Sequence, residues 1–228
     1  MESMRPFHLR LMRRLKEKFE KSHRPHVTSR HYWGSVFFGL ILLSVTLVLN
    51  FYAGEYASNS ASNSVTDIVL SNTRPHEVEW IFIHGTLIFV GYIALLCFWY
   101  PGKTPFILKS IALFVLVRSI SISLTHIGPF PTQVVVSSPD FLKNFIFTGD
   151  LFFSGHTGLP FLIALIFWKN RLVRTLCITT SIAFGTVVLL GHIHYSIDVF
   201  SAFFITYSVY RMSEVFFHKD HLVARESL

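Results

Sequence analysis

Six long apolar segments, separated by polar connectors, constrain this chain more than any other feature. A helix that crosses the hydrocarbon core of a bilayer needs about 20 mostly apolar residues, and each segment has or approaches that length. The segments are residues 33–53, 80–100, 106–125, 151–168, 172–190 and 197–217. Only 14% of the chain is charged, whereas soluble domains carry about 25%. The pattern predicts an all-α fold, a polytopic membrane protein built as a bundle of six transmembrane helices.

The positions of the basic residues indicate how this bundle is oriented. Of the 20 lysine and arginine residues, 17 fall on one side of the predicted spans, and an excess of this kind marks the cytosolic side. We therefore expect both termini to be cytosolic. The connectors 54–79, 126–150 and 191–194 should face away from the cytosol. The net charge of +7 occurs in short clusters between apolar segments, so we expect no nucleic-acid partner.

The same pattern divides the chain into three parts. We expect a basic cytosolic N-terminal tail over residues 1–32, a six-span domain over residues 33–217 and a cytosolic C-terminal tail over residues 218–228. The first tail is too long and too charged for the start of a cleavable signal peptide. Because Cys97 and Cys177 both fall inside apolar segments, we expect no disulfide framework.

Two histidine motifs lie where predicted spans begin on the non-cytosolic side. The first is GDLFFSGHT over residues 149–157, and the second is HIHYSID over residues 192–198. The N-terminus of a helix offers unpaired N–H groups and a positive dipole end, which favour a phosphate. Ser154 and Gly155 would allow a close backbone approach, so we expect them to bind substrate together with Asp150. Asp150 could instead be an ordinary helix N-cap.

The residue types in these motifs fit nucleophilic catalysis at phosphorus. His194 and Asp198 are four residues apart, so a helix would place them on one face. The carboxylate could then accept the Nδ1–H and leave Nε2 free to attack. His156 could act as the general acid and base. Arg118 lies inside a predicted span, where a charge is usually functional, and we expect it to bind phosphate; a structural ion pair, for example with Asp150, is the alternative.

Three other histidines have simpler interpretations. His84 and His126 are expected to be polar residues at the membrane interface. His192 is two residues from His194, so on a helix it would face elsewhere, and we expect a supporting or structural role. Three histidines and two aspartates could also bind zinc, but neither an HExxH pattern nor a Cys/His ligand set occurs. We therefore expect neither a metal ion nor another cofactor.

The two histidine motifs resemble the signature motifs of the sphingomyelin synthases, which belong to the type 2 phosphatidic acid phosphatase superfamily. The resemblance extends over residues 149–157 and 192–206, and the layout of six spans with outward motifs is also similar. Residues 118–131 are similar to the Arg-containing third-span motif of that family, and residues 65–68 more weakly resemble its Asp motif after the first span. Residues 186–188 lack the Ser-Arg pair of the classical phosphatase branch, which favours the synthase branch.

The resemblance implies a triad of His156, His194 and Asp198, with His194 as the nucleophile and His156 as its acid and base partner. It implies transfer of phosphocholine or phosphoethanolamine from a glycerophospholipid donor to ceramide or diacylglycerol through a phosphohistidine. The location would be a bacterial inner membrane, a Golgi membrane or a plasma membrane. A lipid phosphate phosphatase that uses water as acceptor is the alternative, and a transporter or assembly scaffold is the non-enzymatic one. The motifs imply nothing about the oligomeric state.

Overall fold

The computed structural model describes residues 29–134 and 151–226, and these residues are helical with connecting loops. The α-helices of this part of the chain are α1 Arg30–Asn59, α2 Glu79–Trp99, α3 Thr104–Leu124, α4 Gly155–Ile166, α5 Arg171–Leu190, α6 Ser196–Phe216 and α7 His218–Glu226. Two short 3-10 turns, Leu70–Asn72 and Pro101–Lys103, lie in the connectors. The predicted all-α fold is confirmed for the described residues.

Among the residues that the structure describes, four helices are long and apolar enough to cross a membrane. They are α1, α2, α5, and α3 together with the turn that precedes it. Helices α1 and α2 leave large apolar side chains such as Phe37, Val48 and Ile88 exposed, as helices that face lipid do. These four helices indicate an integral membrane protein.

The predicted count of six spans is not confirmed. The fourth predicted span, residues 151–168, is helical over only 12 residues, because the chain before Gly155 is a loop that enters the candidate site. The sixth corresponds to α6, which has 21 residues. That helix carries Asp198, Arg211 and Glu214, so it is less apolar than the four candidate spans.

Helix α4 lies at the centre of the bundle. Its residues Leu162 and Ile163 are fully buried in the main core cluster, which includes residues of α3, α5 and α6. A Cβ atom added at Gly158 would lie 2.7 Å from Thr206 Oγ1 and 2.8 Å from the Phe114 ring. A glycine is therefore needed for the close approach of these helices, and dense packing on several sides fixes the position of the first histidine motif.

Connectors cover the end of the bundle where the histidine motifs lie. Ser62 N donates to His126 O over 2.7 Å, and His76 N donates to Leu190 O over 2.8 Å. Val134 N donates to Gly191 O over 3.0 Å. These hydrogen bonds join the connectors that follow α1 and α3 to each other and to the turn before α6.

The segment that was predicted as a C-terminal tail forms helix α7 over most of its length. Lys109 Nζ on α3 lies 2.6 Å from Asp220 Oδ2 on α7, and it also donates to Ser35 Oγ on α1 over 2.8 Å. Ser35 Oγ in turn donates to Asp220 Oδ1 over 2.6 Å. This three-residue network fixes α7 across the end of the bundle opposite to the histidine motifs.

Candidate active site

The first histidine motif enters helix α4 through a capped N-terminus. Ser154 is the N-cap, and its Oγ accepts a hydrogen bond from Thr157 N over 3.4 Å. His156 is therefore the second residue of the helix, in its first turn. Ser154 and Gly155 lie at this helix start as predicted, although the Ser154 hydroxyl is engaged in capping. Asp150, predicted to bind substrate or to cap a helix, lies outside the described residues.

The second histidine motif does not place His194 on a helix face. Helix α6 begins at Ser196, and Tyr195 before it has an extended backbone, so His194 lies in the turn that leads into the helix. Its Nδ1 lies 2.8 Å from Leu151 O and 3.5 Å from Asp198 Oδ2. The prediction that Asp198 accepts the Nδ1–H bond is therefore wrong, because the nearer acceptor is a backbone carbonyl.

This contact determines the tautomer of His194. A carbonyl oxygen can only accept a hydrogen bond, so Nδ1 must carry the hydrogen. In the neutral ring Nε2 then keeps its lone pair. The His194 side chain is 3% exposed, and its orientation is fixed by the Leu151 carbonyl from the first motif.

Asp198 caps the helix and supplies a negative charge beside His194. Its Oδ2 accepts a hydrogen bond from Tyr195 N over 2.9 Å, which satisfies one of the free N–H groups at the start of α6. Its Oδ1 is buried and has no hydrogen-bond partner in the described part of the chain. The carboxylate is thus placed to interact with a positive charge that develops on the imidazole.

His156 is held by aromatic packing. Its ring centroid lies 4.2 Å from that of Phe82 on α2 and 6.1 Å from that of Phe184 on α5. Its Nδ1 is buried without a hydrogen-bond partner among the residues that the structure describes. The Phe82 contact was not predicted, since a Phe inside an apolar segment is indistinguishable by sequence from a lipid-facing one.

Arg118 lies against the start of helix α4. Its side chain is largely buried, and its Nε donates to Phe153 O over 3.1 Å. A Cβ atom added at Gly155 would lie 2.9 Å from this Nε, so only a glycine allows the guanidinium to approach so closely. The predicted substrate-binding residue Arg118 is therefore beside His156.

The two histidine motifs are connected to each other directly. Ser154 N donates to Asp198 O over 3.1 Å, which joins the start of α4 to the start of α6. Arg118 lies against Gly155, the residue that precedes His156. The structure thus brings together His156, His194, Asp198 and Arg118, which are far apart in the chain.

Asp67 is a second carboxylate at the start of α6. Its Oδ2 accepts from Ser196 N over 2.7 Å and from Ser196 Oγ over 2.8 Å, while Oδ1 accepts from Val69 N and Leu70 N. Burial alone would raise the pKa of this carboxyl. The hydrogen bonds together lower it by more than burial raises it, so the pKa lies below its usual value. The weak motif resemblance at residues 65–68 was the only sequence signal for this contact.

His192 connects the outward loops rather than joining the candidate catalytic group. Its Nδ1 lies 2.6 Å from Thr132 Oγ1 and its Nε2 lies 3.2 Å from Thr73 Oγ1. Burial lowers the pKa of His192, which favours the neutral ring. Both ring nitrogens thus contact hydroxyl groups of two different connectors, so His192 has a structural role.

The two other histidines considered from the sequence have local contacts. His84 stacks on Trp80 with ring centroids 4.8 Å apart, and its Nδ1 lies 3.0 Å from Trp80 O. His126 Nε2 lies 3.2 Å from Ser123 O. Neither residue makes a described contact with His156 or His194.

Comparison with known families bears on the segment that holds both motifs. The family model described as PAP2 superfamily C-terminal matches residues 148–215. This match supports the type 2 phosphatidic acid phosphatase superfamily. The match suggests chemistry of phosphatase or phosphotransferase type on phosphate esters. No curated protein and no solved structure matches the chain.

Proposed function

We propose that the protein is a membrane lipid phosphotransferase that moves a phospho-headgroup, phosphocholine or phosphoethanolamine, from a glycerophospholipid to ceramide or diacylglycerol. The observation that carries this proposal is the 2.8 Å contact between His194 Nδ1 and Leu151 O. It places a hydrogen on Nδ1, so that in the neutral ring Nε2 is free to attack phosphorus at the place where helices α4 and α6 begin. The N-terminus of α4 would stabilise the negative charge of a bound phosphodiester, whereas Asp67 and Asp198 already accept hydrogen bonds from the N–H groups at the start of α6.

In the first step His194 Nε2 attacks phosphorus. A nitrogen–phosphorus bond forms, and the bond between phosphorus and the diacylglycerol oxygen breaks. The leaving oxygen takes a proton from His156, and diacylglycerol departs. The bound phosphodiester favours the protonated form of His156 before this step, because an anion stabilises a neighbouring imidazolium.

In the second step the same groups act in reverse. His156 takes the proton of the acceptor hydroxyl, the acceptor oxygen attacks phosphorus, and the bond to His194 breaks. His156 is thereby protonated again, ready for the next donor. General acid and base action by one residue in both steps contributes about 10²- to 10⁴-fold to the rate.

Charged neighbours stabilise the intermediate. A phosphohistidine formed at Nε2 while Nδ1 keeps its hydrogen carries a positive ring, and the Asp198 carboxylate lies 3.5 Å from that Nδ1. Arg118, which lies beside Gly155, would bind the phosphate oxygens in this mechanism. Preorganised charges in a site that excludes water are usually a large part of catalysis.

The proposed topology follows the distribution of basic residues. The start of α4, the start of α6 and the connectors above them would face the periplasm, the lumen or the cell exterior, with α7 on the cytosolic side. The donor and acceptor would then both enter from the non-cytosolic leaflet. The Lys and Arg bias of the connectors supports this orientation.

The test is headgroup transfer in proteoliposomes. The full chain is reconstituted with phosphatidylcholine or phosphatidylethanolamine, fluorescent ceramide is added, and lipid products are separated. We expect a fluorescent ceramide phosphodiester with the wild type, a loss of at least about 10³-fold with His194→Ala, and full activity with the control His84→Ala. Release of the headgroup without a ceramide product would show water as the acceptor. Transfer that survives His194→Ala would overturn the mechanism.

A further inference from the structure

A cavity of about 310 Å³ lies at the end of the bundle opposite to the histidine motifs. It forms where the 3-10 turn before α3, the C-terminal ends of α4 and α6, and helix α7 meet. The charged side chains that line it are Lys103, Lys169, Arg211 and Arg225, with one carboxylate from Glu214. Four cations and one anion leave an excess of three positive charges.

The carboxylate in this cavity is already engaged. Glu214 forms an ion pair with Arg211, and its Oε1 lies 3.1 Å from His221 Nε2. Burial lowers the pKa of His221, which favours the neutral ring. Lys169 and Arg225 are exposed and form no ion pair with any residue that the structure describes. The excess of positive charge is therefore not neutralised by Glu214.

Lys103 gives the clearest indication of a ligand. It is 2% exposed, and its Nζ donates to Ala224 O over 2.6 Å and lies 5.2 Å from the centroid of the Phe167 ring. No carboxylate of the described residues lies within ion-pair distance of this ammonium group. Buried charges in proteins are normally paired with an opposite charge, so a buried cation that lines a cavity points to an anion from outside the chain.

We propose that this cavity binds a phosphate monoester, carried by an anionic lipid headgroup or by a soluble metabolite. A phosphate monoester has a charge of about −1.5 to −2 at neutral pH and three acceptor oxygens, which suits several convergent cations. Phe106, Leu165 and Ile166 form apolar parts of the lining, where a hydrocarbon portion of the ligand would lie. The proposal is independent of the chemistry at the histidine end.

Binding is measured on the full chain with the His194→Ala substitution, so that the probe is not consumed. Dioctanoyl phosphatidate is titrated into the protein in dodecyl maltoside, and the fluorescence of Trp168, which lines the cavity, reports binding. Competition by glycerol 3-phosphate tests the soluble source, and dioctanoyl phosphatidylcholine serves as the zwitterionic probe. The test variant is Lys169→Gln/Arg225→Gln, both at exposed positions. The matched control is Lys219→Gln, which removes an exposed cation of α7 outside the cavity.

We expect saturable binding of phosphatidate that the double substitution weakens at least about tenfold, because it removes two charge-assisted contacts. The Lys219→Gln control should bind like the parent protein, and phosphatidylcholine should not compete. Competition by glycerol 3-phosphate would assign the ligand to soluble phosphate esters, and failure to compete would assign it to lipids. Absence of saturable binding, or an equal loss in the control, would overturn the proposal.

Discussion

The two ends of the helical bundle hold their charged and polar side chains in different ways. At the histidine end the partners are mainly backbone groups: His194 contacts the Leu151 carbonyl, and Asp198 accepts from Tyr195 N. At the opposite end the main contacts are between side chains, as in the Lys109–Asp220 pair. In both contacts at the histidine end, the backbone group holds the side chain through one polar atom. The second polar atom, Nε2 of His194 or Oδ1 of Asp198, is then available for chemistry. In an ion pair the two charges are engaged with each other, so the pair holds the structure together and leaves neither charge for a substrate.

The largest effect on stability should come from breaking the ion pair at the opposite end. Lys109 and Asp220 lie 2.6 Å apart with side chains 8% and 12% exposed. Asp220→Ala leaves the ammonium group buried and unpaired, so the free energy of unfolding should fall by about 3 kcal/mol. Thermal unfolding in detergent measures this loss.

A matched control separates burial from ion pairing as such. Arg211 pairs with Glu214, but its side chain is 61% exposed, so Arg211→Ala should cost less than about 1 kcal/mol. Headgroup transfer should survive in the folded fraction of Asp220→Ala. Equal stability losses in the two variants would contradict the contrast between the two ends.

At the histidine end the same kind of change should reduce turnover more than stability. Asp198→Asn keeps an acceptor for Tyr195 N but removes the negative charge beside His194. We expect kcat to fall about 10²-fold, less than the about 10⁴-fold seen where a triad carboxylate sets the tautomer, because here the Leu151 carbonyl sets it. Asp198→Ala should additionally lose about 1 kcal/mol of stability through the missing cap. Wild-type kcat in Asp198→Asn would remove the carboxylate from the mechanism.

The spacing between Arg118 and helix α4 offers a smaller test. A Cβ at Gly155 would lie 2.9 Å from Arg118 Nε, whereas a Cβ at Gly91 would meet nothing within 4 Å. Gly155→Ala must displace the guanidinium, and we expect turnover to fall about tenfold through misplacement. Gly91→Ala should leave turnover unchanged and stabilise α2 by about 0.5–1 kcal/mol. Similar kinetics in the two variants would show that the position of Arg118 is unimportant.

Asp67 should give the smallest effect, visible in its pH dependence. Because hydrogen bonds lower the pKa of this carboxyl, its stabilising contribution is present above the unfolded pKa of about 3.9 and is lost as the pH falls through the folded pKa. Asp67→Asn should therefore cost about 1 kcal/mol at pH 7, with a difference that shrinks at lower pH. The control Glu55→Gln, at an exposed position of α1, should follow the wild type. A difference that grows on acidification would contradict this role.

Apolar length predicted most of the fold. All six apolar segments correspond to helices α1–α6, because a run of about 20 apolar residues has few alternatives to a helix in lipid. The fourth was predicted too long, since the apolar residues Leu151 and Phe153 belong to the loop that enters the candidate site. The last residues of the chain carry no apolar run, so the helix α7 that they form was not predicted.

The candidate site was predicted in its residue types but not in its contacts. His156, His194 and Asp198 stood out because two histidine motifs fall at the non-cytosolic ends of two predicted spans and resemble the signature motifs of a known family. The partner of His194 could not be read from the chain, because Leu151 is 43 residues away. The contact between Asp67 and Ser196 spans 129 residues, and a weak motif resemblance was its only signal. Such contacts arise from how the helices pack and leave no local pattern in the sequence.

The central claim is that His194 carries the phospho-headgroup during the reaction. Trapping this intermediate tests it most directly: the full chain in proteoliposomes is mixed with headgroup-labelled donor in the absence of acceptor, quenched at alkaline pH, and mapped by mass spectrometry. We predict a labelled phosphodiester adduct on His194 in the wild type and its absence in His194→Ala. A label on another residue, or equal labelling of the His194→Ala variant, would contradict the account.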